Sequence, residues 1–189
     1  DPSLNLRAGQ IWFTLAQNAF MAGKLDDAGR YITNALAIER AVLDPDNRTI
    51  ADALSMQGQI FHGQKRLAEA RQSLDQAIAI YRRAFGRPHY LIGIAEVYLA
   101  LVESERGRTD AALRILDDAR HNYDVSYGKL HANHGDLLVN RATILNRAGR
   151  HAEARADCAA GMRILGETLG PAANYTRSMA AVCAGMQGR

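Results

Sequence analysis

The chain has 189 residues, of which 48% are apolar, with 23 Lys+Arg against 20 Asp+Glu for a formal charge of +3. That is enough apolar matter for a core, and the charge is too small and too scattered to point to nucleic acid or a membrane surface. No apolar run approaches the ~20 residues that a membrane-spanning helix needs, and the compartment stays open.

The predicted elements are all helices. Apolar periodicity places the first from about Leu4 to Ala22 and the second from about Asp26 to Leu43. Asp46 and Asn47 are candidate caps for a third helix running to about Gly63, and a fourth covers about Ala68 to Phe85 and stops at Gly86. The turn before it carries Lys65 where the other such turns carry Gly23, Gly107 and Gly149, so a somewhat different shape is expected there. Next come helices at about His89 to Arg106 and Asp110 to Tyr127, the latter with Thr109 as N-cap and Gly128 as stop. Helices at about Ala132 to Ala148 and Ala152 to Leu169 follow, ended by Gly170, and a last one spans about Pro171 to Gln187. Pro2, Pro45, Pro88 and Pro171 each fall just ahead of an odd-numbered helix, where the missing N–H costs nothing.

One fixed interval organises these helices into pairs. Ala28, Ala70, Ala112 and Ala154 recur at it, as do Ala16, Gly58, Ala100 and Ala142 twelve positions before them. Ile32, Leu74, Leu116 and Cys158 follow four positions after the Ala ladder, and Ala35, Ala77, Ala119 and Gly161 seven after. A fixed period of this size marks a repeat array, whose units cannot bury their apolar faces alone.

In this register the unit resembles the tetratricopeptide repeat (TPR). The common form has a period of about 34 residues, so a 42-residue unit is similar to the kinesin-light-chain type, as is the Gly86 to His89 linker. The resemblance implies an all-α right-handed superhelical solenoid of antiparallel helix hairpins. It comprises four repeats at about 3–44, 45–86, 87–128 and 129–170, plus an extra helix at 171–187, in one domain. It also implies contacts from positions i, i+3, i+4, i+7 and i+11 of the first helix (helix A) of each pair, on the concave side. Those positions are Gln10, Phe13, Thr14, Gln17 and Met21, with Phe20 beside them, then Asp52, Ser55, Met56, Gln59 and Gly63, with His62 beside them. Repeat three supplies Ile94, Val97, Tyr98, Leu101 and Glu105, and repeat four supplies Asp136, Val139, Asn140, Thr143 and Arg147. A Lys and Asn clamp for a peptide carboxylate is absent from these positions, and the Asn ladder of the motor adaptor survives only as Asn140.

Two further patterns have competing explanations. Glu96 and Glu103 occupy slots usually packed against helix B, so either that helix is rotated, with Ile94, Val97, Tyr98 and Leu101 in the core, or those four line an apolar groove. His131, His134 and Asp136 sit at a helix start as a candidate metal set. A linker role shared with His89 explains His131 better.

No nucleophile motif or phosphate-binding loop is present, and no cofactor or metal is implied. Cys158 and Cys183 lie too far apart in sequence to form a zinc motif; a bridge between them is geometrically feasible but disfavoured by the low base rate in a chain without other secreted signatures. The expectation is a non-enzymatic scaffold that binds a peptide or partner-protein segment along the helix A face. The alternative is a sensor or regulatory domain of a larger bacterial effector, for example one with a caspase-like protease domain. RNA reading would need base-reading positions repeated in every unit and a basic groove, and neither is found. The apolar character of the first helix (Leu4, Ile11, Trp12, Leu15, Met21) and the last (Met179, Val182, Met186, with charge only at Arg177 and Arg189) suggests self-association or further repeats at the ends.

Overall fold

A computed structural model describes residues 2–186. Its helices are α1 (Pro2–Met21), α2 (Leu25–Val42), α3 (Arg48–Gly63), α4 (Leu67–Phe85), α5 (Tyr90–Glu105), α6 (Thr109–Tyr127), α7 (Ala132–Arg147), α8 (His151–Leu169) and α9 (Asn174–Ala184), with no strand among the described residues. The expected end of the last helix at Gln187, the charge at Arg189 and the side chain of Leu4 lie outside the described residues. The chain forms two compact units, Asp1–Arg87 and Pro88–Arg189. The first holds the hairpins α1/α2 and α3/α4; the second holds α5/α6 and α7/α8, with α9 packed on α7 and α8.

Each hairpin closes where its small residues lie. Ala16, Ala28, Ala70, Ala100, Ala112 and Ala142 are wholly buried and Ala154 nearly so. Only a small side chain permits that approach between helix surfaces. At Gly58 the limit is steric, because a Cβ there would lie 2.5 Å from Leu74 Cγ. One ladder was not read from the sequence: Gly9, Gly93 and Gly135 hold a single register position in the first, third and fourth repeats, and they sit against Glu39, Tyr123 and Leu165.

The turns inside the hairpins share one geometry, and two expectations about them are corrected. Gly23, Gly107 and Gly149 have φ of 73°, 79° and 77°, and Lys65 adopts the same left-handed conformation at 62°, so the second turn does not differ in shape. Its backbone closure matches as well: Arg66 N–H donates to Phe61 O at 2.9 Å, as Arg108 N–H does to Glu103 O at 2.9 Å. Thr109 is the first helical residue and not the cap; Arg108 holds the cap position without a side-chain bond, and its own N–H closes the C-terminus of α5. Of the two candidate caps before α3, Asn47 accepts from Thr49 N–H at 2.9 Å, while Asp46 pairs with Arg83 at 2.6 Å.

The cysteine expectation is overturned. Cys158 on α8 and Cys183 on α9 form a disulfide with their Cα atoms 5.8 Å apart. Packing of α9 onto α8 brings the two slots together, a tertiary fact that base rates on composition do not contain. The last helix is also shorter than expected, beginning at Asn174 after a turn that holds Pro171.

Candidate functional site

Positions i, i+4, i+7 and i+11 of a helix share a face, and on the A helices that face stays open. In the first unit Gln10 and Gln17 of α1 are exposed, Phe13 and Phe20 half-buried, and Asp52, Met56, Gln59 and His62 of α3 half-buried. Ile94, Tyr98, Leu101 and Glu105 of α5 and Asp136, Asn140 and Thr143 of α7 are half-buried in the second unit, with Arg147 exposed.

The i+3 row departs from the expectation. Val97 is 2% exposed and belongs to the apolar core of its unit, as does Val139 at 1%, and Ser55 is 5% exposed. Position i+3 leans toward helix B, so Val97 is a packing residue and is withdrawn from the candidate site. Glu96 and Glu103 show that α5 is not rotated, since both are buried in the slots packed against helix B. Asn122 Nδ2 donates to Glu96 at 2.9 Å, and Arg106 and Arg108 reach Glu103 at 2.9 and 3.2 Å, so each buried carboxylate is met by polar donors. Ile94 and Leu101 brace the core from its edge while keeping an open side.

Charge on these faces is arranged differently in the two units. Within the first, Asp52 accepts from the Tyr81 hydroxyl at 2.7 Å and lies 3.6 Å from Arg48. Nearby Glu39, 1% exposed, has its carboxyl pushed up to about 7, mainly by burial and then by the Asp52 carboxylate. In the second unit Asp136 accepts from Asn140 Nδ2 at 3.1 Å and from the Tyr175 hydroxyl of α9. Burial raises its carboxyl, and those two bonds oppose the rise. The Tyr98 hydroxyl is pushed up to about 12 by burial and then by Asp136. Farther along the same faces Arg147 reaches Glu105 at 3.6 Å and Ser104 Oγ at 3.3 Å.

The histidines of the candidate metal set turn to different partners. His131 Nδ1 accepts from Asn133 N–H at 3.2 Å and its ring stacks on Tyr127 at 3.8 Å, the capping role that His89 plays toward Leu91 N–H at 3.3 Å. His134 Nε2 contacts Asp124 at 2.9 Å, away from Asp136 and its own partners. Among the described residues no three acidic, His or Cys side chains converge as metal ligands. Tyr175 and Glu39 were missed in the sequence. Glu39 had a signal, because it holds the register position of Tyr81 one repeat earlier, a core slot; Tyr175 had none, since its register position carries Thr49, Leu91 and Asn133 in the earlier repeats.

Paired antiparallel helices with a fixed period and one open face per A helix define a helix-hairpin repeat solenoid of the all-α class. The tetratricopeptide repeat model matches residues 7–83 and 49–124, and the chain belongs to that family. Its repeats are of the kinesin-light-chain-like type. The structure is similar to BtubC (BKLC) from P. vanneervenii, with a TM-score of 0.73 and 19% identity over 92% of this chain and 68% of that one. It is also similar to a putative kinesin light chain of Podosopora anserina with nearly identical TPR-like repeats, at a TM-score of 0.71 and 16% identity over 97% and 88% of the two chains. YrrB, a TPR protein with an unusual peptide-binding site, follows at a TM-score of 0.50 and 15% identity over 93% and 84%. No curated protein matches the chain. Tetratricopeptide repeats generally mediate protein–protein interaction, and solenoids of this type are typically non-catalytic scaffolds.

Proposed function

We propose that the chain is a non-enzymatic interaction module whose A-helix faces hold an extended or helical segment of a partner protein. The observation that carries this reading is the composition of the open rows. Apolar Met56, Ile94 and Leu101 stay half-buried beside the amides of Gln59 and Asn140, while Ser55, Val97 and Val139 of the neighbouring i+3 row are buried and Phe13 of that row stays half-open. Half-open apolar groups interleaved with amides suit a peptide, giving anchors for side chains and partners for its backbone.

The test is a peptide library selected against the full chain, followed by Met56→Arg and Leu101→Arg. Met56 is partly open, so its variant should keep its melting temperature; Leu101 also braces the core, so its variant should melt somewhat lower, and each should lose the selected peptides from the corresponding unit. Retained binding in both variants refutes the assignment. The exposed apolar residues of α1, Ile11 at 61%, Leu15 at 39% and Met21 at 85%, support self-association as a second contact. Light scattering that shows a monomer at high concentration removes that part.

A further inference from the structure

Asp136 differs from Glu103, Asp157, Glu105 and Asp52 in having no cation. Glu103 has Arg106 and Arg108, Asp157 has Arg141 at 3.1 Å, and Glu105 has Arg147. Asp52, at the same register two repeats earlier, has Arg48. Among the described residues no lysine, arginine or histidine forms an ion pair with Asp136, and its hydrogen bonds come from neutral donors, the Asn140 amide and the Tyr175 hydroxyl. Asn140 engages Oδ2 and Tyr175 engages Oδ1, which leaves lone-pair capacity on both oxygens. Asp136 as a residue keeps part of its surface exposed.

Its surroundings favour one ligand charge. The Tyr175 hydroxyl of α9 bonds Asp136 directly, and Tyr98 of the neighbouring α5 is near enough for the Asp136 charge to raise its hydroxyl after burial does. An anion would meet repulsion there, and a neutral group would leave the desolvated carboxylate uncompensated. A cation would gain a charge-assisted bond to the carboxylate.

We propose that the site formed by Tyr98, Asp136 and Tyr175 receives the ammonium or guanidinium of a lysine or arginine side chain carried by the bound peptide. The proposal rests on the reading of the A-helix face as a peptide site and adds the chemistry of one anchor. Asn140 acts as a positioning residue that holds the carboxylate toward the open side.

The probes are three short blocked peptides of alanine and glycine with lysine, arginine or norleucine at the centre, titrated into the full chain while tyrosine ring resonances are followed by NMR. The basic peptides should shift Tyr98 and Tyr175 saturably, the norleucine peptide should not, and added salt should weaken the response. Asp136→Asn, which still accepts from Tyr175, should weaken the basic peptides by about tenfold or more. Equal binding of the norleucine peptide to the wild-type chain overturns the proposal without any variant, and so does unchanged affinity in Asp136→Asn. If library selection yields only peptides without basic residues, and Leu101→Arg still blocks them, the cation site falls while the interaction face stands. If neither the basic peptides nor the library binds, both fall.

Discussion

Removing the charge of Glu39 should change how stability depends on pH, and the structure sets both sign and size. Glu39 occupies the slot that Tyr81 and Tyr123 fill in later repeats and packs against Gly9, where a Cβ would lie in ordinary contact 3.5 Å from Glu39 Cγ. Its Oε2 is buried without a hydrogen-bond partner. The folded carboxyl is raised from 4.5 to about 7, by burial first and by Asp52 second. Below pH 4.5 Glu39 is protonated in both the folded and the unfolded chain, and its contribution is fully present. Between 4.5 and about 7 the unfolded chain releases the proton while the folded chain keeps it, so stability falls; above about 7 the loss is complete. That interval corresponds to about 3 kcal/mol. Glu39→Gln keeps the volume and cannot ionise. It should match the wild type near pH 4 and exceed it by about 3 kcal/mol at about pH 8. Urea unfolding followed by the fluorescence of Trp12, the only tryptophan, reports on the first unit. Parallel pH profiles for the two proteins would refute the argument.

The second unit should depend on its disulfide. Replacing Cys158 and Cys183 together with alanine, or reducing the bridge, opens a loop with a sequence separation of 25 and should lower stability by about 3 kcal/mol; an unchanged melting curve under reductant counts against the bridge. Lys65→Gly should stabilise the first unit by about 0.5–1 kcal/mol, because a lysine at φ 62° is strained where glycine is not. A loss of stability would mean that the lysine side chain contributes more than the backbone strain costs. Gly93→Ala should destabilise by about 1–3 kcal/mol despite the better helix former, since the new Cβ would fall 2.6 Å from Tyr123 Cε1 and 3.0 Å from Ala119 O. A neutral result in thermal melting would show that α5 can shift away from α6.

The hairpins were legible in the sequence because close helix contact leaves a mark that few residues can carry. Alanine or glycine must stand at each crossing, and the interval between crossings is the repeat. The helix stops were equally readable, since Gly86, Gly128 and Gly170 all take positive φ. Polarity at the packed slots was not. Glu39, Glu96 and Glu103 are charged by type yet buried, and what makes Glu96 tolerable is Asn122, far along the chain on another helix. Side-chain periodicity describes one helix at a time and carries no record of such a partner. The i+3 row failed for a related reason. Val97 and Ile94 are both apolar on the same turn of α5, and only the position of α6 decides that the first is sealed and the second left half-open.

The site around Asp136 extends that reasoning to function. Three of its four side chains, Tyr98, Asp136 and Asn140, stand at groove positions that the period assigns, and the fourth, Tyr175, comes from α9 at a position that carries Thr49, Leu91 and Asn133 in the earlier repeats. The helix is held to α8 by Cys158 and Cys183 and to the buried cluster by Met186, and it delivers Tyr175 to a carboxylate that would otherwise meet only Asn140. The disulfide and the Tyr175 side of the proposed cation site therefore stand on the same helix. Breaking the bridge should loosen the Tyr175 contact before it unfolds α7 and α8, because Val139, Ala142, Leu145, Ala154 and Leu165 of the shared core lie on α7 and α8 themselves, while α9 and the turn after it add Cys183 and Met186 at its edge. Under reductant the lysine peptide should consequently lose affinity while the α-helical signal of the chain is largely retained; retention of both would separate the bridge from the site.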